Sequence, residues 1–458
     1  MTLKKRITET IFYTKENVKR IRVQSVKFPS INFNAIKFHL PTRGTRDDYM
    51  YDGTFHEAVG SILAVAQLFG IMPVHGIKAK NPSQLRFKIL SFRFLFSVIY
   101  IVGCMLSLSL TVHWIATSKL EFGKLINFTF EFTNLIALIC FLDLGRKWPM
   151  LMNSWYRVEK CLPQLKYQFD KQKMAYQIKM ASLVILFSSM SEHLLSITVG
   201  AHGANNCPTI KDPIKAFFVR NYPQVWLIFP YSGWLSSLTK FLNIILTFAW
   251  SYTDLFVIII SIGLTSKFDQ LNDELRKMKG KRGIRPEYWT EFRVYYREVV
   301  GLIAVVDKAV SKIVLISISN NLFFICVQLL RSLDQKPTFA HTFYFWISLS
   351  YLIGRTLAVS LYSAGINDAS KKPLEVFRSV CREDWCVEVK RFNEEVAHDT
   401  IALSGMKFFY LTRKLVLSVA GTIVTYELVL IQFHQDDNIS DWDPCLANNK
   451  TAMMMSFG

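Results

Sequence analysis

Apolar stretches of about 20 residues or more recur along this chain, the length a helix needs to cross the hydrocarbon core of a bilayer at 1.5 Å rise per residue. A helix buried in a soluble core has no need of that length, so this repetition limits the possible folds more than any other feature. The stretches fall at 88–115, 122–144, 176–200, 234–265, 302–330, 341–366 and 408–433. Half of the 458 residues are hydrophobic and 36 are Phe, and the mean hydropathy of +0.23 is high for a water-soluble protein of this size. The expected fold is all-α, with seven transmembrane helices. Seven crossings place the two ends of the chain on opposite sides of the membrane.

Charge decides which end is inside. The formal net charge is +19, but the lysines and arginines lie between the apolar stretches, not in one patch or a nucleic-acid motif, so nucleic acid is not the expected partner. The connections 1–87, 145–175, 266–301 and 367–407 hold 37 Lys and Arg, and the alternate set holds fewer than ten. The positive-inside rule then gives a cytoplasmic N-terminus and an extracellular C-terminus. Asn438-Ile-Ser440 and Asn449-Lys-Thr451 are glycosylation acceptor triplets in the expected outer tail. Cys207 and Cys445 also fall outside, either as a disulfide or as two unpaired thiols.

Met1 to Arg22 is charged throughout and lacks the apolar core of a cleavable signal peptide, so the first span is expected to direct insertion. Residues 1–54, interrupted by Pro29 and Pro41, read as a flexible basic cytoplasmic tail. Residues 55–77 are apolar but carry His56, Glu57, Gln67 and Pro73, which suits a helix in the interface or packed under the bundle, an extra span being the alternative. Residues 88–366 form the expected six-span ligand-binding bundle. Leu374, Phe377, Val380, Trp385, Val389 and Phe392 recur at near-helical spacing and predict an amphipathic cytoplasmic anchor helix within 367–407. Residues 408–433 form the seventh span and 434–458 the extracellular tail.

The inferred orientation excludes a G-protein-coupled receptor, whose N-terminus lies outside. No phosphate-cradling glycine loop, zinc-binding histidine pair or nucleophile elbow appears, and Cys381 and Cys386 make a pair without further ligands. The sequence therefore recommends neither an enzyme nor a metal or organic cofactor.

Two stretches resemble the insect gustatory receptors. Thr425-Tyr426-Glu427-Leu428-Val429-Leu430-Ile431-Gln432-Phe433 is similar to the family's C-terminal pattern of Thr-Tyr, five mainly apolar residues and Gln-Phe, with Glu427 the departure. Phe55-His56-Glu57-Ala58-Val59-Gly60, continuing through Ala66-Gln67-Leu68-Phe69-Gly70-Ile71-Met72-Pro73-Val74, resembles the signature of the sugar-receptor branch. The resemblance implies a sugar-gated, non-selective cation channel in the plasma membrane of sensory neurons. Its ligand would be a disaccharide such as sucrose or maltose. The same resemblance implies a homotetramer, or a heterotetramer with related receptors, whose last spans surround one pore.

At about 100° per residue, Thr422, Thr425, Tyr426, Gln432 and Phe433 fall within about 60° of Val429 on the last helix. One stripe therefore carries the motif. Facing a symmetry axis it would supply an apolar constriction at Val429 or Phe433 and an ion-solvating amide at Gln432; the alternative is an ordinary helix contact face. Ionisable and polar groups within spans are costly and usually face a cavity or a partner. Glu131, Glu192, His193, Trp250, Asp254, Asn320 and Asn321 lie at mid-depth or toward the outer ends, with Tyr344 and Trp346 at the outer end of the sixth span. Carboxylates, amides and aromatic faces are what a sugar requires, so these nine form the expected ligand site, a buried interhelical bond being the alternative for each acid. A sugar transporter, and a binding subunit that conducts only beside a co-receptor, remain as rival functions.

Overall fold

The computed structural model describes residues 54–119, 122–161, 167–205, 212–332 and 339–434. The tail over 1–53, Asn438, Asn449, Cys207 and Cys445 lie outside the described residues. Helices carry nearly all of the structure. They are α1 (Phe55–Leu68), α2 (Phe92–Thr117), α3 (Phe122–Cys161), α4 (Tyr167–Asn205), α5 (Pro213–Asn221), α6 (Pro223–Trp226), α7 (Gly233–Arg276), α8 (Pro286–Ser332), α9 (Phe339–Lys371), α10 (Pro373–Phe377), α11 (Val387–His398) and α12 (Arg413–His434). Two short antiparallel hairpins interrupt them: β1 (Val74–His75) pairs with β2 (Arg86–Phe87), and β3 (Ser404–Gly405) with β4 (Phe409–Tyr410).

Side-chain oxygens set several of the helix starts. Thr54 accepts from the Glu57 amide (3.3 Å) at α1, and Ser91 from the Phe94 amide (3.3 Å) at α2. Asp212 accepts from the Ile214 amide (2.9 Å) at α5, where Pro213 occupies the first turn and needs no N–H partner. The seven expected spans fall on α2, α3, α4, α7, α8, α9 and α12. Five of these, α2, α3, α4, α7 and α8, are long and apolar enough to cross a membrane by length and composition. α9 (33 residues) and α12 (22 residues) exceed the length a crossing needs.

Several helices run well past the apolar stretches that announced them. α3 continues to Cys161, α7 to Arg276, and α8 begins at Pro286. Hydropathy marks only the apolar part of each helix. Beyond it the helices continue because they pack on each other at the basic end of the bundle, the end that carries connections 145–175, 266–301 and 367–407.

α7 is the central helix: every residue from 251 to 264 is buried, against α4, α8 and α9. α1 packs on α3, α4 and α7. The Phe55 ring stacks on Trp155 at 4.0 Å, and both lie over Gly263 of α7, where a Cβ would come within 2.5 Å of Phe55. The Phe55 amide donates to Glu159 (3.1 Å), whose carboxylate also pairs with Lys267 (2.8 Å), both side chains almost inaccessible. A buried acid thus meets the positive end of α1. His56 Nε2 lies 2.8 Å from the Ala79 carbonyl oxygen, and Gln67 Nε2 donates to Met72 O (2.9 Å) and Val74 O (2.7 Å). The polar residues of the 55–74 stretch therefore fold the chain back on itself, and with Phe55 over Gly263 and the Phe69 ring stacked on Phe248 (3.7 Å) the helix lies alongside α7.

The amphipathic pattern over 373–407 proves not to be one helix. The chain breaks after Phe377 into a short 3-10 turn at Arg382–Asp384, and α11 folds back so that Phe392 packs against Phe377 (4.8 Å) and Tyr296 (5.3 Å). Val389, Phe392 and Val396 are fully buried, while Trp385, expected on the same face, is 42% exposed. Packing of the aromatic rings against α8 overrides the local period. Arg293 of α8 then pairs with Glu388 (2.9 Å) and Glu395 (3.0 Å) of α11. Lys371 donates to the carbonyls of Val396 (2.6 Å), Ala397 (3.0 Å) and Asp399 (2.7 Å), placing a cation at the negative end of α11.

Candidate ligand site

A cavity of about 900 Å³ is walled by α2, α3, α4, α7, the α5–α6 segment and the start of α9. Its walls are mainly apolar, with polar groups placed between them. Five of the nine residues expected at a ligand site line it: Glu131, Glu192, His193, Trp250 and Tyr344. Glu131, 6% exposed, accepts from the Ser107 hydroxyl (2.7 Å). Glu192 Oε1 accepts from the Tyr344 hydroxyl (2.9 Å) and from Ser348 (3.0 Å), joining α4 to α9 across the cavity wall. His193 Nε2, Trp250 Nε1 and Gln224 Oε1 are buried and make no hydrogen bond to protein. Glu131 Oε2 is likewise without a partner; buried polar atoms normally have partners, and here four such atoms belong to residues that line one cavity.

The other four expected residues lie elsewhere. Trp346 is 56% exposed and is not a cavity residue. Asp254, Asn320 and Asn321 are buried in a polar layer next to the cavity. Asp254 pairs with Arg355 of α9 (Nε to Oδ2, 2.8 Å) and accepts from Ser317 (2.5 Å) and Asn321 (3.0 Å) of α8. Arg355 also donates to Asn321 Oδ1 (3.2 Å) and Ser251 Oγ (3.3 Å), and Ser189 of α4 shares a hydrogen bond with Ser251 (2.6 Å). Asn320 accepts from Thr133 of α3 (3.1 Å). One ion pair therefore fastens α4, α7, α8 and α9 together at mid-depth.

Arg355 was absent from the expected set, yet as an intramembrane cation it had the same signal as the acids. Lys240 and Asn243, within the fourth apolar stretch, also line the cavity and were legible by that rule. Tyr222 and Gln224 were not, because they come from the α5–α6 connection and only the fold brings them to the wall. The Arg355 guanidinium lies 4.4 Å from the Trp250 ring, so the cavity and the polar layer share a cation–π contact.

A third cluster extends from the cavity to the last helix. Phe324 and Ile325 of α8 and Leu352 of α9 form a small core against Phe130, Trp250 and Ile423 of α12. The Trp250 and Phe324 rings are 4.8 Å apart. Thr425, Tyr426, Val429, Gln432 and Phe433 all fall on α12. Thr425 is exposed, its hydroxyl donating to Gly421 O (2.9 Å); the side chains of the other four lie outside the described set. Among the described residues, no group of three or more His, Cys, Asp or Glu is placed to hold a metal ion.

A bundle of membrane-length helices around a sparsely polar cavity is the architecture of a multi-pass membrane receptor. Its fold is that of the insect olfactory receptor OR5 from Machilis hrabei, with a TM-score of 0.64 at 14% identity, covering 84% of this chain and 100% of that one. The trehalose receptor family matches residues 17–445. The chain is 46% identical to the Drosophila melanogaster gustatory receptor for sugar taste 64f over 96% of both chains. It is 42% identical to the gustatory receptor 5a for trehalose of the same fly, over 88% of this chain and 90% of that one. The chain belongs to the trehalose receptor family, a family of receptors and not of enzymes.

Proposed function

We propose that this protein is a sweet-taste receptor of sensory neurons that opens as a non-selective cation channel when a disaccharide such as sucrose or maltose occupies the cavity. The observation that carries this reading is the cavity itself. Its 900 Å³ is within the range of about 300–1,000 Å³ usual for ligand sites. It offers two carboxylates, an imidazole, several amides and an indole, with four polar atoms left free for hydroxyls. Glu131, Glu192, His193, Trp250 and Tyr344 are the residues assigned to the sugar, with Gln224 added. Asp254, Asn320 and Asn321 support the site from behind, through Trp250 and Arg355.

In this reading the basic end faces the cytoplasm, the C-terminal tail with Asn438 and Asn449 lies outside, and four copies of α12 surround the pore with Thr425, Tyr426, Val429, Gln432 and Phe433 on the axial stripe. The tail over 1–54, the packed helix in 55–77, the bundle over 88–366, the anchor region 367–407, the pore span 408–433 and the outer tail 434–458 are the corresponding parts. Sugar shifts the equilibrium only by binding the open form more tightly. The Trp250–Phe324–Ile423 contacts supply a route by which closure of the cavity moves α12. A transporter is the weaker reading, because transporter sites are built from discontinuous helices whereas α4 and α7, of 39 and 44 residues, run unbroken along the cavity wall.

The test is whole-cell recording from cells expressing this chain, with mono- and disaccharides applied, for the native protein and for Glu192→Gln and Trp250→Ala. The expected result is a disaccharide-evoked cation current whose half-activating concentration rises at least tenfold in both variants at equal surface expression. Sugar uptake without current would refute the channel in favour of transport. Currents unchanged in both variants would refute the cavity as the sugar site.

A further inference from the structure

The connection into α12 is built more firmly than a connection needs to be. Ser404–Gly405 pairs with Phe409–Tyr410, and only Leu411 and Thr412 separate the hairpin from the start of α12 at Arg413. The turn places two successive non-glycine residues, Met406 (φ 49°) and Lys407 (φ 67°), in the left-handed region that L residues rarely adopt. Such a turn persists only when its surroundings hold it.

What holds it is Asp307, a buried carboxylate on α8. Its Oδ1 accepts from the Ser404 amide (2.6 Å), and its Oδ2 accepts from the Ser404 hydroxyl (3.0 Å) and from Lys407 Nζ (2.6 Å). The Lys407 amide in turn donates to Ser404 Oγ (3.3 Å), and the Leu411 amide to Leu403 O (2.9 Å). Leu403 and Leu411 are buried on either side. One residue beyond Thr412, Arg413 pairs with Asp368 of α9 (2.5 Å), and Asn367 donates to Ile401 O (3.3 Å). The foot of α12 is therefore bound to α8 and α9 together, and the lower part of α8 is bound to α11 through Arg293.

Resting on the channel reading above, we propose that Asp307 is a positioning residue for gating. By holding the strained 404–410 hairpin, it makes the foot of α12 a fixed pivot, so that force arriving at Ile423 tilts the upper part of the helix without displacing it bodily. Asp307 does not line the cavity. Its loss leaves sugar binding intact and dissipates the movement that binding produces.

The experiment compares Asp307→Asn, Met406→Gly and the double variant with the native full-length protein. Asn keeps the shape of the side chain and removes the charge that holds Lys407. The expected result for Asp307→Asn is a maximal sugar-evoked current, per receptor at the surface, reduced at least fivefold, with direct sugar affinity of the purified protein within twofold of native. Met406→Gly relieves the left-handed turn by other means, so the double variant is expected to recover at least half of that loss. A general folding defect would lower surface level and binding together and would not be rescued by glycine; that outcome overturns the proposal. If the native protein binds sugar and passes no current, the channel reading fails separately. The pivot is then judged by hydrogen exchange of the purified protein. A tenfold faster exchange of amides 404–416 in Asp307→Asn, with 310–325 unchanged, retains the clamp, and unchanged exchange throughout removes it.

Discussion

Replacing Asp254 by Ala is the perturbation whose outcome the structure fixes most closely. Asp254 and Arg355 are each about 1% exposed at the side chain, so the substitution leaves a guanidinium in the bundle core with its countercharge gone. Ser317 and Asn321 lose an acceptor at the same time. Breaking one partner of a buried pair costs about 3–5 kcal/mol, mostly the penalty of the orphaned charge. An unfolding entropy of about 2.1 cal/mol/K per residue over 458 residues makes 1 kcal/mol worth about 1 °C. The melting temperature of the detergent-solubilised protein, followed by size-exclusion chromatography after heating, is therefore expected to fall by about 3–5 °C. Arg355→Met alone is expected to cost about as much, because it orphans the carboxylate. Asp254→Leu alone is expected to lose about as much as Asp254→Ala; combined with Arg355→Met it removes both charges and is expected to return within about 1–2 kcal/mol of native, since apolar replacement of a buried pair is often neutral or stabilising, and these Leu and Met variants form the cycle. A coupling of about 3 kcal/mol or more across the cycle is the signature. Single losses that simply add would refute the buried-pair account and return Asp254 to a role in direct ligand contact.

Two further outcomes follow from the basic end of the bundle. Gly263→Val sets a Cβ 2.5 Å from the Phe55 ring and 2.8 Å from Trp155, and is expected to cost about 1–3 kcal/mol and lower surface expression. Gly354→Ala on α9, where a Cβ meets nothing within 4 Å, is the neutral control. His56 is buried, and burial lowers its pKa below the ordinary 6.5. Below that pH the unfolded chain takes up a proton that the folded chain refuses, so stability falls as pH drops through the region, by at most about 1.4 kcal/mol per pH unit. His56→Gln is expected to flatten the change in melting temperature between pH 7.5 and 5.5, and an unaltered slope would refute the assignment.

The acids and amides of the apolar stretches were visible in the sequence because a polar group in hydrocarbon demands a reason. What each does was not visible. Glu192 and Asp254 present the same signal in one dimension. In three dimensions Glu192 lies on a cavity wall facing Tyr344, and Asp254 lies behind that wall paired with Arg355. The break after Phe377 shows the same limit, for the spacing of apolar residues there suits one helix and the packing of Phe377, Phe392 and Tyr296 imposes two. The Asp307–Lys407 clamp joins residues a hundred positions apart, with no local pattern to announce it.

By itself the sequence determined that the chain is a helical membrane protein, where its long apolar stretches fall, and through two short motifs which family it belongs to. The first two are set by interactions with solvent and lipid, which each segment experiences independently of the others, so composition and period suffice to read them; the family is read from the resemblance of the two motifs alone. Only the tertiary structure decided which polar groups face a cavity and which face each other, how the 55–74 stretch folds along α7, and what holds the foot of α12. Such properties depend on pairs of groups distant in the chain, where the cost of burying one is met only by the position of the other.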